Sequence, residues 1–147
     1  MSRQVCTFRV DRYLYGVDVL DVQEVISYQS MTEVPLAPPE LRGLINLRGQ
    51  IVTAIDLRRR LGFDPGTEET PMNVVVRVPS GAVSFLVDAI GDVVEIDEAQ
   101  CEAVPDTVAA GVRSLMVSVC KFDDELLHVL DAAKTADVRI STGEEAV

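Results

Sequence analysis

Tryptophan is absent from this 147-residue chain, aromatic residues make up only 5% of it, and there is a single histidine. A core therefore has to be assembled from Val, Leu, Ile and Ala. There is enough of that material: hydrophobic residues are 48% and charged residues 25%, the balance of a folded domain and not of a disordered chain. One domain-sized unit is expected over residues 1–147, large enough to bury roughly two-thirds of its unfolded surface. Basic residues are scarce as well. Thirteen Lys and Arg stand against 24 Asp and Glu, a net charge of −11. Such a chain is repelled by phosphate backbones and anionic lipid, and it lacks basic–aromatic interleaving, so nucleic acid is not an expected partner. No apolar run approaches the ~18–20 residues of a membrane helix, so no direct membrane insertion is expected. The opening Met1-Ser2-Arg3-Gln4 has no signal-peptide apolar region, which makes the cytoplasm the expected location.

Cysteine is sparse and badly spaced for a disulfide framework or a metal site. Cys6, Cys101 and Cys120 are odd in number, far apart, and contain no C-x-x-C. Cys6 and Cys120 fall in apolar alternations, so buried reduced thiols are expected. His128 sits within Leu126-Leu127-His128-Val129-Leu130, a strand pattern, where a structural role competes with a general base. Glycine-rich phosphate loops, the G-x-S-x-G elbow and clusters of His, Cys and carboxylates at ligand spacing are all missing. No catalytic residue, metal or cofactor is assigned, and the weight moves from enzymes to binding surfaces.

Cys6, Phe8 and Val10 alternate with Thr7, Arg9 and Asp11, a half-buried strand that turns at Asp11-Arg12 and returns through Tyr13, Tyr15 and Val17. Val19, Val22, Val25 and Ile26 then follow helical spacing behind a capping Asp18, so residues 18–26 are expected to be a short helix with Gln23 and Glu24 facing out. Thr32 to Leu36 reads as a brief strand before Pro38-Pro39. Two strands come next, Leu44–Leu47 and Ile51–Ile55, joined by a turn at Arg48-Gly49. Asp56 caps a helix that runs to Leu61 and is closed by Gly62. Arg58-Arg59-Arg60 reads as a solvated face near that helix's C-terminus, with a partner contact as the alternative.

The turn-rich stretch 63–72 marks an internal boundary. Strands are expected near 73–78, 82–89, 92–96, 114–121 and 125–130, a helical turn at 97–100, and a last helix from Asp131. A flexible acidic tail is expected over 138–147. The pattern strand, turn, strand, capping Asp, helix occurs twice, ending once at Asp56-Leu57 and once at Asp131-Ala132. This suggests two related small β units sharing an apolar core.

Two blocks carry a resemblance. The stretch Tyr15-Gly16-Val17-Asp18-Val19-Leu20-Asp21-Val22-Gln23-Glu24-Val25 resembles the start of CheW-like domains. The run from Arg42 through Asn46-Leu47-Arg48-Gly49-Gln50 to Asp56-Leu57 resembles the family's most diagnostic segment. Residues 86–93, LVDAIGDV, look like its V-D-x-x-x-D-V run, and the likeness extends over about residues 5–136. It implies a mostly β fold of two intertwined five-stranded SH3-like β-barrel subdomains with a few short helices. It also implies a non-catalytic adaptor that binds the cytoplasmic tip of methyl-accepting chemotaxis receptors and the regulatory domain of the histidine kinase CheA. The same surfaces could serve a non-flagellar chemosensory pathway, in twitching or gliding motility or in development.

Val22, Glu24, Gly43 and Arg48 match positions the family uses for receptor binding. Each also has a plainer explanation. Val22 fits a core position, and Gly43 an unusual backbone angle. Arg48 can hold an internal ion pair with Glu24 or another acid. Kinase-binding residues stay unassigned. Around Cys101–Thr107 this chain has no aromatic and carries Glu102, whereas family members often place basic or aromatic residues there for a second kinase contact.

Overall fold

Apolar–polar alternation makes β1 (Ser2–Val10) and β2 (Tyr13–Asp18) a hairpin in the computed structural model, which describes residues 2–64 and 70–138. Asp18 then caps a single 3₁₀ turn, Val19–Asp21, by accepting from the Leu20 N–H. The chain continues as β3 (Val22–Ile26), so the helix expected over 18–26 is not formed. Val22, Val25 and Ile26 satisfy helical spacing, but they are β-branched, and β6 offers them a ladder. The strand expected at Thr32–Leu36 shrinks to one bridge, in which Thr32 and Leu44 exchange both backbone hydrogen bonds at 2.9 and 2.8 Å.

Next come β4 (Leu41–Leu47), β5 (Gln50–Asp56) and α1 (Leu57–Arg60), the last capped by Asp56. They are followed by β6 (Met72–Val78), β7 (Gly81–Val87) and β8 (Ala89–Asp97). A 3₁₀ turn at Glu98–Gln100, closed by a capping box on Asp97, leads into β9 (Cys101–Glu102). The chain then runs through α2 (Ala110–Arg113), β10 (Met116–Phe122), β11 (Glu125–Leu130) and α3 (Ala132–Ala136), whose cap is Asp131.

Among the described residues these strands make two sheets, one ordered β8-β1-β2-β11-β10-β9 and the other β3-β6-β7-β5-β4. The protein is mostly β, with two SH3-like subdomains. The ends of the described chain build the first and its middle builds the second. The stretch 63–72 therefore does not separate the two sheets: β5 before it and β6 after it lie in the same one, and the crossings fall near 18–22 and 87–89. Residues 65–69 and the expected tail beyond Val138 lie outside the described residues. The two echoing segments do share an architecture. β4–β5–α1 and β10–β11–α3 are each a hairpin with a register shift near its start and a helix-capping Asp at its end. Each second strand also pairs in parallel with another strand, β5 with β7 and β11 with β2.

Burial explains the continuous apolar runs. Val5, Leu14, Ile96, Leu127 and Val129 fill the interior of the first sheet, while Ile45, Leu47, Val52, Val75 and Leu86 fill that of the second. The opposite faces of these strands meet in a shared core of Phe8, Val10, Val17, Val74, Val76, Phe85 and Leu130. A strand buried on both faces has no polar alternation to display, and Val74-Val75-Val76 and Phe85-Leu86-Val87 read accordingly.

Two expectations about side chains are overturned. Cys101 and Cys120 are not reduced thiols but a disulfide joining directly opposed residues of β9 and β10; only Cys6 is free, and it is buried. The basic run is not a solvated face either. Arg60 is 5% exposed and caps α3, donating from Nε to the Thr135 carbonyl at 2.8 Å and from Nη2 to those of Lys134 and Asp137 at 2.8 and 2.9 Å. Arg58 clamps Asp88 (2.9 Å) and Asp11 (3.4 Å), which leaves Arg59 exposed.

Candidate functional site

The β4–β5 turn puts an arginine where backbone strain aims it outward. Arg48 and Gly49 both adopt the left-handed region, φ 53° and 87°, as a two-residue hairpin turn of the primed type requires. The Asn46 side chain steadies the turn by accepting from the Gly49 N–H at 2.9 Å. Glycine takes such angles at no cost, whereas arginine is uncommon there. The Arg48 side chain is 66% exposed.

Glu24 reaches the same place from β3. Its Oε2 receives Arg48 Nη2, so the internal ion pair anticipated for Arg48 is made. That hydrogen bond holds the Glu24 carboxyl below the usual carboxylate range. Gln23 extends the contact: its Nε2 donates to Glu24 at 3.3 Å and lies 3.5 Å from Gln50 Oε1, while Arg77 Nε donates to Gln23 Oε1 at 3.2 Å. Arg48, Glu24, Gln23 and Arg77 thus form one polar chain across the surface of the second sheet.

The other two candidates play supporting parts. Val22 is half-buried and packs against the shared core, which matches its plainer reading. Gly43 is buried, and its φ is not positive. A Cβ there would stand 2.7 Å from the Thr32 carbonyl oxygen and 3.1 Å from Met31 Cβ, so the glycine admits the segment that bridges to β4. Fully buried Asn73 holds the start of that segment, donating to the Ser27 carbonyl at 3.0 Å and accepting from Ser84 Oγ at 2.7 Å. The structure therefore unites Glu24 and Arg48, and assigns Gly43 and Val22 to the framework around them.

Arg77 also belongs to a groove between the sheets. Arg3, Val117 and Leu130 supply one wall, Arg77–Pro79 the other, and Asp131–Ala133 the start of α3, around a volume of about 320 Å³. The groove shares Val78, Pro79 and Ala133 with a more apolar hollow of about 700 Å³, bordered by Pro38, Leu41, Ala136 and Val138. Burial, with Asp18 and Asp131 nearby, pushes the Asp21 carboxyl up at the groove's acidic side. Sequence reasoning missed Arg77 and the small alanines of α3. Only the alternation of β6 and the spacing of Ala132, Ala133 and Ala136 hinted at them.

His128 has a structural setting. Its Nδ1 lies 2.8 Å from the Leu14 carbonyl oxygen, and the ring packs against Tyr15 at 5.0 Å between centroids. Burial pushes the Tyr15 hydroxyl up to about 12. Among the described residues, no helix is long and apolar enough to cross a membrane, and no three His, Cys, Asp or Glu side chains gather where they could hold a metal ion.

The family model for the CheW-like domain matches residues 4–139. This chain belongs to the CheW-like domain family. It is similar to the chemotaxis protein CheW of Bacillus subtilis, with 29% identity over 92% of this chain and 88% of that one. The CheW protein of Thermotoga maritima is 30% identical over 89% of this chain and 85% of its own length. Among solved structures, the scaffolding protein TtCheW from Thermoanaerobacter tengcongensis superposes with a TM-score of 0.84 at 30% identity, covering 94% of both chains. The two-sheet architecture read from the strand pattern is thus the architecture of a CheW scaffold.

Proposed function

We propose that this CheW-like chain is a non-catalytic adaptor in bacterial chemotaxis, coupling the cytoplasmic tips of methyl-accepting chemotaxis receptors to the regulatory domain of the histidine kinase CheA. It works in the cytoplasm and joins membrane arrays through these partners. The observation that carries the proposal is the exposed Arg48–Glu24 pair, linked through Gln23 and Arg77 to a groove between two β subdomains in a chain of this family. A helical hairpin such as a receptor tip can lay an apolar stripe against the groove while its polar residues meet the charged chain beside it. Arg48 is well suited to this task. Its turn fixes the backbone, its side chain stays largely exposed despite the internal pair, and its planar fork can grip a carboxylate or carbonyl. Glu24 positions Arg48, and Gly43 and Val22 support them from the framework.

The test is the affinity of the full chain for a receptor-tip fragment, measured for the native protein and for Arg48→Glu, with thermal melting as the control. The expected result is a loss of at least about tenfold in affinity, as for truncation of a central interface charge, with the melting temperature little changed. Undiminished affinity in the folded variant removes Arg48 from receptor binding. Kinase activation that needs receptor, kinase and this chain together supports coupling; activation without the chain refutes it.

A further inference from the structure

The Cys101–Cys120 bond stands out in a chain proposed to work in a reducing compartment. There, disulfides are commonly transient and redox-sensing rather than permanent staples. The cytoplasmic setting is the one point at which a redox role for this bond rests on the proposed adaptor function.

β9 is two residues long and pairs with β10 only at Val119↔Glu102 and Cys120↔Cys101, so the disulfide spans one of its two register positions. The two sulfurs are unequally accessible: Cys120 is fully buried, whereas Cys101 is only partly buried at the sheet edge. Polar groups flank both. The Asp97 carbonyl oxygen lies 3.7 Å from Cys101 Sγ, placed to accept a hydrogen bond from the reduced thiol. Ser118 Oγ lies 3.6 Å from Cys120 Sγ, placed to donate to a thiolate. Residues adjoining both cysteines, including Glu102, Ala103, Val119 and Lys121, line an apolar hollow of about 150 Å³ that Leu126 completes. One end of this edge has a second attachment, Gln100 Nε2 to the Lys121 carbonyl at 2.8 Å, so loss of the bond frees β9 without releasing the preceding turn.

We infer that Cys101 and Cys120 are a reversible redox site, a clasp whose oxidation fastens β9 to β10 and whose reduction frees it. The co-reactant is a low-molecular-weight disulfide of the glutathione class. The accessible Cys101 thiolate attacks one sulfur of that disulfide. The reagent's S–S bond breaks, a mixed disulfide forms at Cys101, and one small thiolate leaves. Cys120 then loses its proton and attacks Cys101 Sγ. The protein disulfide forms and the second small thiolate leaves. Two protein thiols have been oxidised, one small disulfide has been reduced to two thiols, and the two protons released by the cysteines are taken up by the leaving groups. Reduction is the reverse. Cys6 takes no part, because its burial in the shared core raises its thiol pKa and denies it access.

The experiment uses the full chain in buffers of varied reduced-to-oxidised glutathione ratio. Samples are acid-quenched, alkylated and weighed by mass spectrometry, and hydrogen exchange is measured over residues 99–105 in the reduced and oxidised forms. The bond is expected to titrate within the range of ratios, with Cys101 carrying any trapped glutathione adduct. Reduction should speed exchange at Cys101 and Glu102 by about tenfold or more, as a local constraint is lost. Cys101→Ser should exchange like the reduced chain. Three results overturn the inference: a bond that survives fully reducing buffer in the native protein, thiols that stay unpaired in fully oxidising buffer, or exchange that ignores the redox state. Receptor and kinase binding are not read in this experiment, so its failure leaves the proposed adaptor role standing.

Discussion

Replacing Arg60 by methionine should loosen the helix that lines the inter-sheet groove. The guanidinium is nearly fully buried and donates to three carbonyls at the C-terminal end of α3, one of which, that of Lys134, also accepts a backbone hydrogen bond from the Asp137 N–H. Hydrogen bonds to a charged group contribute about 1.5–3 kcal/mol each, so three of them set an upper range of about 4.5–9 kcal/mol. Two effects reduce that. Burial disfavours the charge, as the lowered Arg60 pKa shows, although Glu40 and Asp137 oppose the shift. Methionine also restores apolar packing, and part of the helix end can be rehydrated. The net loss is then about 3 kcal/mol, or about 9 °C of melting temperature for a domain of this size.

Thermal and urea unfolding of Arg60→Met would measure the loss, with exposed Arg59→Met as the control, expected within about 0.5 kcal/mol of native. Arg60→Lys should fall between them, because an ammonium cannot reproduce a planar fork aimed at three carbonyls. Ala133 of α3 lines both the groove and the hollow beside it, and Ala136 lines the hollow, so receptor-tip affinity should fall with Arg60→Met as well. A loss under about 1 kcal/mol would refute the claim that the buried fork anchors this helix.

Gly43→Ala would drive a methyl group onto the Thr32 carbonyl and Met31, costing about 1–3 kcal/mol in denaturant unfolding, with receptor affinity falling because the framework moves. Glu24 is held below its ordinary value of 4.5 by Arg48, so the stability and order it contributes are complete above that value and lost as pH falls through its lower folded pKa. NMR titration of Glu24 should show the depression in native protein and its disappearance in Arg48→Met.

Much of the fold was legible in the sequence because local chemistry fixed it. Asp18, Asp56 and Asp131 each cap the turn or helix that comes next, the helical turn at 97–100 is present, and Arg48-Gly49 turns where expected. Gly62 closes α1 at φ 87°. The failures share one cause, which is partners brought from far along the chain. Val22–Ile26 became a strand because β6 lies alongside it. Cys101 and Cys120 met through strand register, and Arg60 found carbonyls 74 to 77 residues away. The site divides the same way. Glu24 and Arg48 could be matched to the family one by one, but the network through Gln23 and Arg77 exists only once β3, β6 and the β4–β5 turn are assembled.

The order of strands in the first sheet has a temporal consequence. Within this chain the β1–β2 hairpin is local, yet its parallel neighbour β11 places Leu127 beside Leu14, 127 − 14 = 113 positions later. The middle sheet needs nothing beyond Val87 and can close first. Until β11 pairs with β2, one edge of that hairpin has no mate, so the slowest folding step should be the return of the distant strands β10 and β11 to β2.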